Sequence, residues 1–380
     1  MGLAGGWVDA RQWLTVSGDP LPQHREGHLH FFSCEWIVLT FLEYRSIFGV
    51  IEKKSRQNTG DKDVQEHMEE RPTARTVGFI GLGRMGLALA GHLLAKHPGL
   101  MVHDINPTPV NALVKRGAHA ATSVAQLASE CDVVFTMLPG PAQARSVWLG
   151  PEGLVAQARA GSTLVELSTV DVETIDALAE AAALKGLGFA DAPVGRLASH
   201  ADKGESLFMV GAEDAVLREI EPLLLKMGTT VQHCGKAGAG TRTKLVNNFM
   251  VLCYCQINSE ALVLARAMGL ELEGTLDVLL NTTAVNGQLR DKWRAKVLAG
   301  DLTPGFDLAL GLKDISLACA SAQRVGAAVP VGGLVRDLFQ MAKSAGHAGQ
   351  DTSSMTDFWA SVNGLKPLRL AASSQKGTTQ

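Results

Sequence analysis

The sequence predicts an α/β fold in which a doubly wound parallel sheet is followed by an all-α C-terminal domain. Short apolar runs alternate with Ala- and Leu-rich helical segments from about residue 75 to residue 240, and only helical periodicity continues beyond that point. Composition agrees, because 46% of the 380 residues are hydrophobic and only 5% are aromatic. Such a mixture is typical of helices packed on a parallel sheet.

Six apolar runs are expected to form strands of this sheet. They span residues 76–80, 100–103, 132–138, 162–169, 188–194 and 206–211. Ligands of open α/β sheets bind at the carboxyl ends of the strands. This rule marks Leu138-Pro139, Ser168-Thr169 and the loop after Val194 as candidate site segments.

The C-terminal domain is predicted to begin with a long helix from Thr241 to Met268, about 40 Å in length. Further helices are expected at 273–281, 288–299, 308–325 and 331–345. The predicted division is therefore a sheet domain over 75–240, a helical substrate and dimerisation domain over 241–365, and a flexible tail over 366–380.

Residues 1–74 do not share this pattern and are expected to form a poorly ordered extension. One hypothesis is that they are not part of the working protein and that Met68 is the natural start; an added interaction module is the competing interpretation. His24 and His28 lie one helical turn apart, but no Cys or carboxylate completes a site, so no metal is predicted.

Charge and cysteine content exclude several classes of function. A formal net charge of −3 gives no indication of nucleic-acid binding. The six cysteines form no C-x-x-C pair, which favours free thiols and a reducing, cytoplasmic compartment. The apolar stretch 36–51 is too short and too charged to predict a membrane span, and no secretory signal is evident.

A glycine-rich loop between the first strand and its helix predicts dinucleotide binding by a Rossmann-type domain. The loop consists of Gly81, Leu82, Gly83, Arg84, Met85 and Gly86. Its glycines permit a tight turn, a close approach to a pyrophosphate and close packing of helix on strand. Asp104 ends the second strand, where its carboxylate would bind the adenosine ribose hydroxyls and repel a 2′-phosphate. The predicted cofactor is therefore NAD rather than NADP.

Lys244 is the predicted acid/base. It lies near the start of the long helix and shares a helix face with Asn248, four residues on. The positive end of the helix dipole and burial in a cleft would both lower the pKa of its amine. The amine could then exchange a proton with a carbonyl or hydroxyl oxygen, while Asn248 fixes the amine or the substrate. We expect Lys244→Ala to abolish turnover and to spare NAD binding.

Four segments, in order along the chain, resemble motifs of the β-hydroxyacid dehydrogenase family, which includes 3-hydroxyisobutyrate dehydrogenase. They are residues 78–86, 191–194, 238–248 and 312–315, and the resemblance covers roughly residues 75–365. It implies an NAD(P)-dependent dehydrogenase or reductase acting on CH–OH groups and forming a homodimer or homotetramer. It also assigns Ser168 to the substrate and nicotinamide region, and Lys313, with Leu138, Pro139 and Thr169, to the cofactor.

The substrate loop departs from the family's usual Ser-Gly-Gly and reads Gly195-Arg196-Leu197, which resembles the sulfolactaldehyde reductase branch. The planar guanidinium of Arg196 could bind a sulfonate or carboxylate through two hydrogen bonds, with Asn247 as a further donor. Sulfolactaldehyde and 2,3-dihydroxypropanesulfonate are the favoured substrates. Val251 stands where that branch has a serine, so 3-hydroxyisobutyrate and 4-hydroxybutyrate stay open.

A non-enzymatic alternative is a protein that binds NAD without turning over a substrate, like members of the family that lost the lysine. The presence of Lys244 disfavours this alternative, and no basic tail supports a chromatin-bound version.

Overall fold

The computed structural model describes residues 75–371. The predictions for residues 1–74, including the hypothesis about Met68 and the histidine pair, lie outside the described residues, as does the tail beyond residue 371. Of the described cysteines, Cys131, Cys234, Cys253, Cys255 and Cys319 are free thiols.

Nine strands of the described part form one sheet, and the predicted fold class is confirmed. The strands are β1 (Val77–Ile80), β2 (Met101–His103), β3 (His119–Ala120), β4 (Val133–Thr136), β5 (Thr163–Glu166), β6 (Gly188–Asp191), β7 (Val194–Gly195), β8 (Ser206–Ala212) and β9 (Gly228–Gly235). Their order is β3-β2-β1-β4-β5-β6-β8-β7, with β9 beside β8. The order in which strands join the sheet therefore reverses between β1 and β4. In such a sheet, ligands bind in the crevice at the carboxyl ends of the strands on either side of this point.

Eight helices belong to the sheet domain. They are α1 (Arg84–Lys96), α2 (Pro107–Val114), α3 (Val124–Glu130), α4 (Pro141–Leu149), α5 (Leu154–Gln157), α6 (Val172–Leu184), α7 (Ala198–Asp202) and α8 (Asp214–Met227). Helices cover both faces of the sheet, so its central strands are buried throughout; β1, β4 and β5 each contain four fully buried residues. This explains why those strands read as continuous apolar runs.

Helices alone build the C-terminal part. They are α9 (Ala239–Ala267), α10 (Leu272–Leu280), α11 (Leu308–Arg324), α12 (Pro330–Ala342) and α13 (Met355–Val362). A separate apolar core, which contains Leu252, Trp293 and Phe339, joins them. The long helix α9 begins in the sheet domain and ends in this second core, so one rigid element connects the two.

The structure differs from the sequence prediction at several places. β8 runs antiparallel to β6 and β7, and β9 is an edge strand whose exposed polar residues hide its strand pattern. The helix predicted at 288–299 is reduced to a π-helical turn at Leu289–Trp293 and a 3-10 turn at Val297–Ala299. The segment 366–371 of the predicted flexible tail is packed, because Leu368 enters the helical core and Arg369 pairs with Asp357 at 2.7 Å.

Candidate active site

The three glycines of the cofactor loop serve three different physical needs. Gly81 has φ of 91°, and a Cβ there would lie 2.2 Å from the carbonyl oxygen of Met137. A Cβ at Gly86 would lie 1.9 Å from the carbonyl oxygen of Gly81, so only glycine lets α1 pack this closely. Gly83 faces open space, with no atom within 4 Å of a Cβ built on it. The loop therefore leaves its outer side free for a phosphate at the start of α1.

Asp104 lies beside this loop at the end of β2. Its Oδ2 accepts a hydrogen bond from the Leu82 N–H at 2.6 Å, and its Oδ1 accepts one from the Asn106 N–H at 2.7 Å. The carboxylate is thus fixed between the glycine-rich loop and the start of α2. Each oxygen keeps a lone pair for a ribose hydroxyl, so the loop and the acid together fit a dinucleotide.

Arg84 and Met85 take different positions at the start of α1. Arg84 forms a two-point ion pair with Asp202 of α7, at 2.6 and 2.5 Å. Met85 is partly buried and packs against the core. The ion pair joins the cofactor loop to the helix that follows the predicted substrate loop.

Asp191 fixes the start of the long helix α9. Its buried carboxylate accepts hydrogen bonds from the N–H groups of Gly238 at 2.6 Å and Thr241 at 2.5 Å. Burial raises the pKa of this carboxyl, although the hydrogen bonds oppose the shift. Gly240 permits the contact, since a Cβ there would lie 2.1 Å from the carbonyl oxygen of Met209. The helix that carries Lys244 is therefore attached to the carboxyl end of β6.

Lys244 lies one turn into α9 and is only 9% exposed. Its Nζ donates a hydrogen bond to the carbonyl oxygen of Val194 at 2.7 Å. Burial lowers the pKa of the amine, and nearby Lys313 lowers it further, while Asp314 acts in the opposite direction. A buried ammonium with one protein acceptor keeps two N–H donors for other groups.

A chain of amide and carboxylate groups lies beside this amine. Asn247 donates from Nδ2 to Oδ1 of Asn248 at 3.0 Å, and Asn248 donates from Nδ2 to Oδ2 of Asp314 at 2.7 Å. Asn248 and Asp314 are each 4% exposed. The structure therefore brings Asn248 to the Lys244 site, where both atoms of its amide are already bonded.

Lys313 of α11 connects the helical domain to the sheet. Its Nζ donates to the carbonyl oxygens of Thr169 at 3.0 Å and Pro139 at 3.3 Å, and it lies 3.1 Å from Asp314. These carbonyls belong to the loops that follow β5 and β4. Two of the three predicted loop segments, Leu138-Pro139 and Ser168-Thr169, thus meet at Lys313, and Lys313 and Asp314 lie near Lys244.

Ser168 lies behind the loop surface. The side chain is fully buried; its hydroxyl donates to Oε1 of Glu166 and accepts from the Leu138 N–H at 2.6 Å. The Ser168 hydroxyl is therefore not exposed for the predicted contact with the substrate, because it is buried and donates its hydrogen bond to the carboxylate of Glu166. The hydroxyl instead ties the loop after β4 to the loop after β5.

The side-chain hydrogen bonds of Arg196 are to residues outside the Lys244 cluster. Its guanidinium is exposed and donates to the carbonyl oxygen of Glu205 at 2.6 Å and to the hydroxyls of Thr229 at 3.0 Å and Thr230 at 3.3 Å. The backbone has φ of 70°, a conformation that favours glycine, which is the residue of the ordinary loop here. Gly195, before it, is buried, and a Cβ there would touch Leu207 and Met209 at 3.2 Å.

The sequence did not reveal Glu166 as an acid of this site, and it marked Asp191 only as the first residue of the motif 191–194. Both end central strands and are fully buried, next to each other in the register of β5 and β6. A charged residue that closes an apolar strand is the signal that could have found them. Over residues 75–371, no group of three or more His, Cys, Asp or Glu is arranged to hold a metal, and no helix is long and apolar enough to cross a membrane.

Comparisons with known proteins agree with this arrangement. Residues 76–235 match the model of the NAD binding domain of 6-phosphogluconate dehydrogenase. Residues 238–359 match the model described as NAD-binding of NADP-dependent 3-hydroxyisobutyrate dehydrogenase. The two matches divide the described chain at the start of α9.

Whole proteins align over most of their length. The chain is 33% identical to 3-sulfolactaldehyde reductase of Escherichia coli over 281 residues, 74% of this chain and 94% of that protein. It is 34% identical to 3-hydroxyisobutyrate dehydrogenase of Pseudomonas aeruginosa over 287 residues, 73% and 96% of the two chains. The structure of Mycobacterium tuberculosis 3-hydroxyisobutyrate dehydrogenase with L-serine superposes with a TM-score of 0.69 and 29% identity, covering 76% of this chain and 99% of that one.

Proposed function

Because the chain belongs to the β-hydroxyacid dehydrogenase family, a group of NAD(P)-dependent enzymes acting on hydroxyl groups, we propose that it interconverts a short anionic aldehyde and its alcohol. The single observation that carries this proposal is the Lys244 amine, buried beside Asn248 and Asp314 at the carboxyl edge of the sheet. The favoured pair is 3-sulfolactaldehyde and 2,3-dihydroxypropanesulfonate; 3-hydroxyisobutyrate and 4-hydroxybutyrate are the alternatives.

Lys244 handles the proton in this mechanism. The nicotinamide cofactor, when bound, supplies or accepts the hydride at the substrate carbon. During reduction the protonated amine donates to the carbonyl oxygen, and during oxidation the neutral amine accepts the hydroxyl proton. The carbonyl oxygen of Val194 keeps the amine in place, and burial of the side chain limits its contact with water.

The cofactor preference is proposed from Asp104. The carboxylate is held in one orientation by two backbone N–H groups at the end of β2, where a bound dinucleotide would place its ribose hydroxyls. A 2′-phosphate would bring a second negative charge against it. NADH should therefore support faster reduction than NADPH, and a preference for NADPH would contradict the role given to Asp104.

Arg196 is proposed to bind the anionic end of the substrate. Two observations support this proposal. Arg196 lies two residues after Val194, whose carbonyl oxygen accepts a hydrogen bond from the Lys244 amine. Its backbone also has the left-handed conformation of the glycine in the ordinary loop. Its guanidinium would have to leave the hydroxyls of Thr229 and Thr230 when the anion binds. Arg196→Ala should raise KM for anionic aldehydes and leave an uncharged aldehyde unaffected; equal losses on both would contradict the assignment.

A substrate panel tests the proposed function directly. Absorbance of NADH would be followed with sulfolactaldehyde, succinic semialdehyde, methylmalonate semialdehyde and tartronate semialdehyde, each with wild type and with Lys244→Ala. We expect the highest kcat/KM for the sulfonate and none for the variant. If an aldehyde with a carboxylate has a higher kcat/KM than sulfolactaldehyde, that aldehyde replaces the favoured substrate. If none of the four aldehydes is turned over, the proposal is rejected.

We also propose that the chain forms a homodimer or homotetramer through its helical part. Exposed apolar residues follow a heptad spacing along α9, with Met250, Ile257 and Leu264 at 48%, 55% and 60% exposure. Ile257→Glu with Leu264→Glu should shift the mass measured by light scattering to the monomer. Leu184→Glu, at an exposed site of the sheet domain, is the matched control. A cytoplasmic location stays a prediction.

A further inference from the structure

Glu166 is a buried acid that the proposed mechanism does not use. It ends β5, is fully buried, and lies in register between Thr136 of β4 and Asp191 of β6. Its Oε1 accepts from the Ser168 N–H at 2.8 Å and from the Ser168 hydroxyl, and its Oε2 accepts from the Thr136 hydroxyl at 2.8 Å. These partners are all neutral, so the carboxyl is buried without a bonded cation among the described residues.

The hydrogen bonds around Glu166 can accommodate both of its protonation states. When the carboxyl is ionised, Thr136 donates to Oε2 and accepts from Nε1 of Trp148 at 3.0 Å. When Oε2 carries the proton, it can donate to the Thr136 oxygen, whose own proton then turns to the carbonyl of Val165 at 3.4 Å. A hydroxyl that both donates and accepts allows the neighbouring acid to change charge without a change of fold.

Glu166 bonds to Ser168 of the loop after β5, which the proposed function places beside the cofactor. Ser168 donates to Glu166 and accepts from the Leu138 N–H, so the acid bonds to the hydroxyl that joins the two loops. Lys313 binds carbonyls of the same two loops. In an open α/β sheet the dinucleotide lies in the crevice at these carboxyl ends. The family resemblance assigns Ser168, and with it the loop after β5, to the nicotinamide region.

We propose that Glu166 exchanges a proton with solvent beneath the loops after β4 and β5, and that its negative charge favours binding of the oxidised cofactor, whose nicotinamide ring is cationic, over the reduced cofactor, whose ring is neutral. The inference rests on the proposed function, since it takes the nicotinamide to lie over these loops. The oxidised ring carries a positive charge that the reduced ring lacks, and charges interact more strongly where water is excluded.

The charge of Glu166 changes within the physiological range. Burial raises the pKa of this carboxyl to about 7, although the hydrogen bonds from Ser168 and Thr136 oppose the shift. The ionisable groups on the surrounding elements include Asp191 of β6, Arg145 of α4, Glu173 and Asp176 of α6, Lys244 of α9, and Lys313 and Asp314 of α11. Asp176 pairs with Arg242, and Asp314 accepts a hydrogen bond from Asn248. Asp191 faces the start of α9, Arg145 faces Thr174 and Glu173, and the two lysines face loop carbonyls. Each of these side chains therefore bonds elsewhere.

Binding of the two cofactor forms at two pH values tests the proposal. NAD+ would be titrated by calorimetry and NADH by its fluorescence, at about pH 6 and about pH 8, on either side of the titration. Every protein compared in this experiment carries Lys244→Met, so that titration of the Lys244 amine does not contribute to the ratio of the two Kd values. With Glu166 present, the ratio of the NADH Kd to the NAD+ Kd should rise by about threefold to tenfold between the two pH values.

Glu166→Gln should make this ratio independent of pH. The glutamine reproduces the protonated acid, because its oxygen accepts from Ser168 and its amide donates to Thr136. Glu152→Gln, at an exposed glutamate of the sheet domain, is the matched control and should behave as the background does. Should Glu166→Gln not fold, Thr136→Val provides the test, since losing the donor to the ionised form moves the change in the ratio to higher pH.

The outcomes separate this inference from the proposed function. An unchanged pH dependence in Glu166→Gln, with both cofactor forms still bound, overturns the role of Glu166 and leaves the proposed function intact. Failure of the wild-type protein to bind either form overturns both. A ratio that falls as pH rises reverses the sign and also overturns the inference.

Discussion

Two buried lysines in this protein have opposite surroundings. Lys292, on the π-helical turn of the helical domain, pairs with Asp351 at 2.9 Å and donates to the Thr352 hydroxyl at 2.5 Å. Lys244, at the junction of the two parts, is held by one backbone carbonyl, and Asp314 is bonded to Asn248 instead. Both side chains are almost inaccessible to water.

The difference shows that burial alone does not make a lysine reactive. The Lys292 ammonium is neutralised by a carboxylate that also accepts from the backbone N–H groups of Gly305, Phe306 and Ser353. Lys244 lacks a carboxylate in contact, so burial lowers the pKa of its amine. We therefore assign Lys292 to the structure of the helical domain and keep Lys244 as the proposed acid/base.

The largest expected effect is on turnover in Lys244→Met. Removal of a general acid/base should lower kcat by about a hundredfold to ten-thousandfold, while the apolar side chain of similar length leaves the unfolding temperature unchanged or raised. Steady-state kinetics, NADH titration and thermal unfolding measure the three quantities. Loss of NADH binding together with turnover would indicate a structural role instead.

Lys292→Met should show the reverse pattern. It leaves Asp351 buried without its cation, which typically costs about 3–5 kcal/mol in the free energy of unfolding. Denaturant titration measures this loss, and the folded fraction should retain its kcat. Adding Asp351→Asn should recover part of the stability; if the double variant is no more stable than Lys292→Met, the ion pair is not the cause.

Glu166 is a buried acid, in contrast to the two buried lysines, and its ionisation makes the free energy of unfolding depend on pH. Because its pKa is about 7 in the folded protein and 4.5 is its ordinary value, the unfolded chain loses this proton first as pH rises. The stability that Glu166 contributes is present below pH 4.5 and is lost as pH rises to about 7, by about 3 kcal/mol. Glu166→Gln should lose less stability over this window, as measured by unfolding at each pH. Identical curves for the two proteins would contradict the raised pKa.

The smallest effect is expected at an exposed lysine. Lys236 lies 3.7 Å from Glu213, and both side chains are mostly in solvent. Such pairs contribute little to stability, so Lys236→Met should change neither the unfolding temperature nor kcat. A clear loss of either would show that removing any lysine from this region disturbs the protein, and the results at Lys244 would need another explanation.

Much of this arrangement could be predicted from the sequence, because its signals are local. The three glycines, Asp104 and the periodicity of α9 each follow from a few neighbouring residues. The pairing of Asp314 with Asn248, by contrast, joins positions 66 residues apart, and the enclosure of Ser168 depends on Glu166 being buried under helices. No short pattern encodes such contacts. The edge strand β9 was missed for another reason, because its exposed polar residues hide the strand pattern.

The most direct test of the account is the pKa of Lys244 itself. Protein labelled at the lysine Cε carbons would be titrated by NMR, with Lys244→Met identifying the resonance. We predict a transition well below 10.5, the ordinary value of a lysine amine, and its loss in the variant. A Lys244 amine that titrates at or above 10.5 would contradict its assignment as the acid/base.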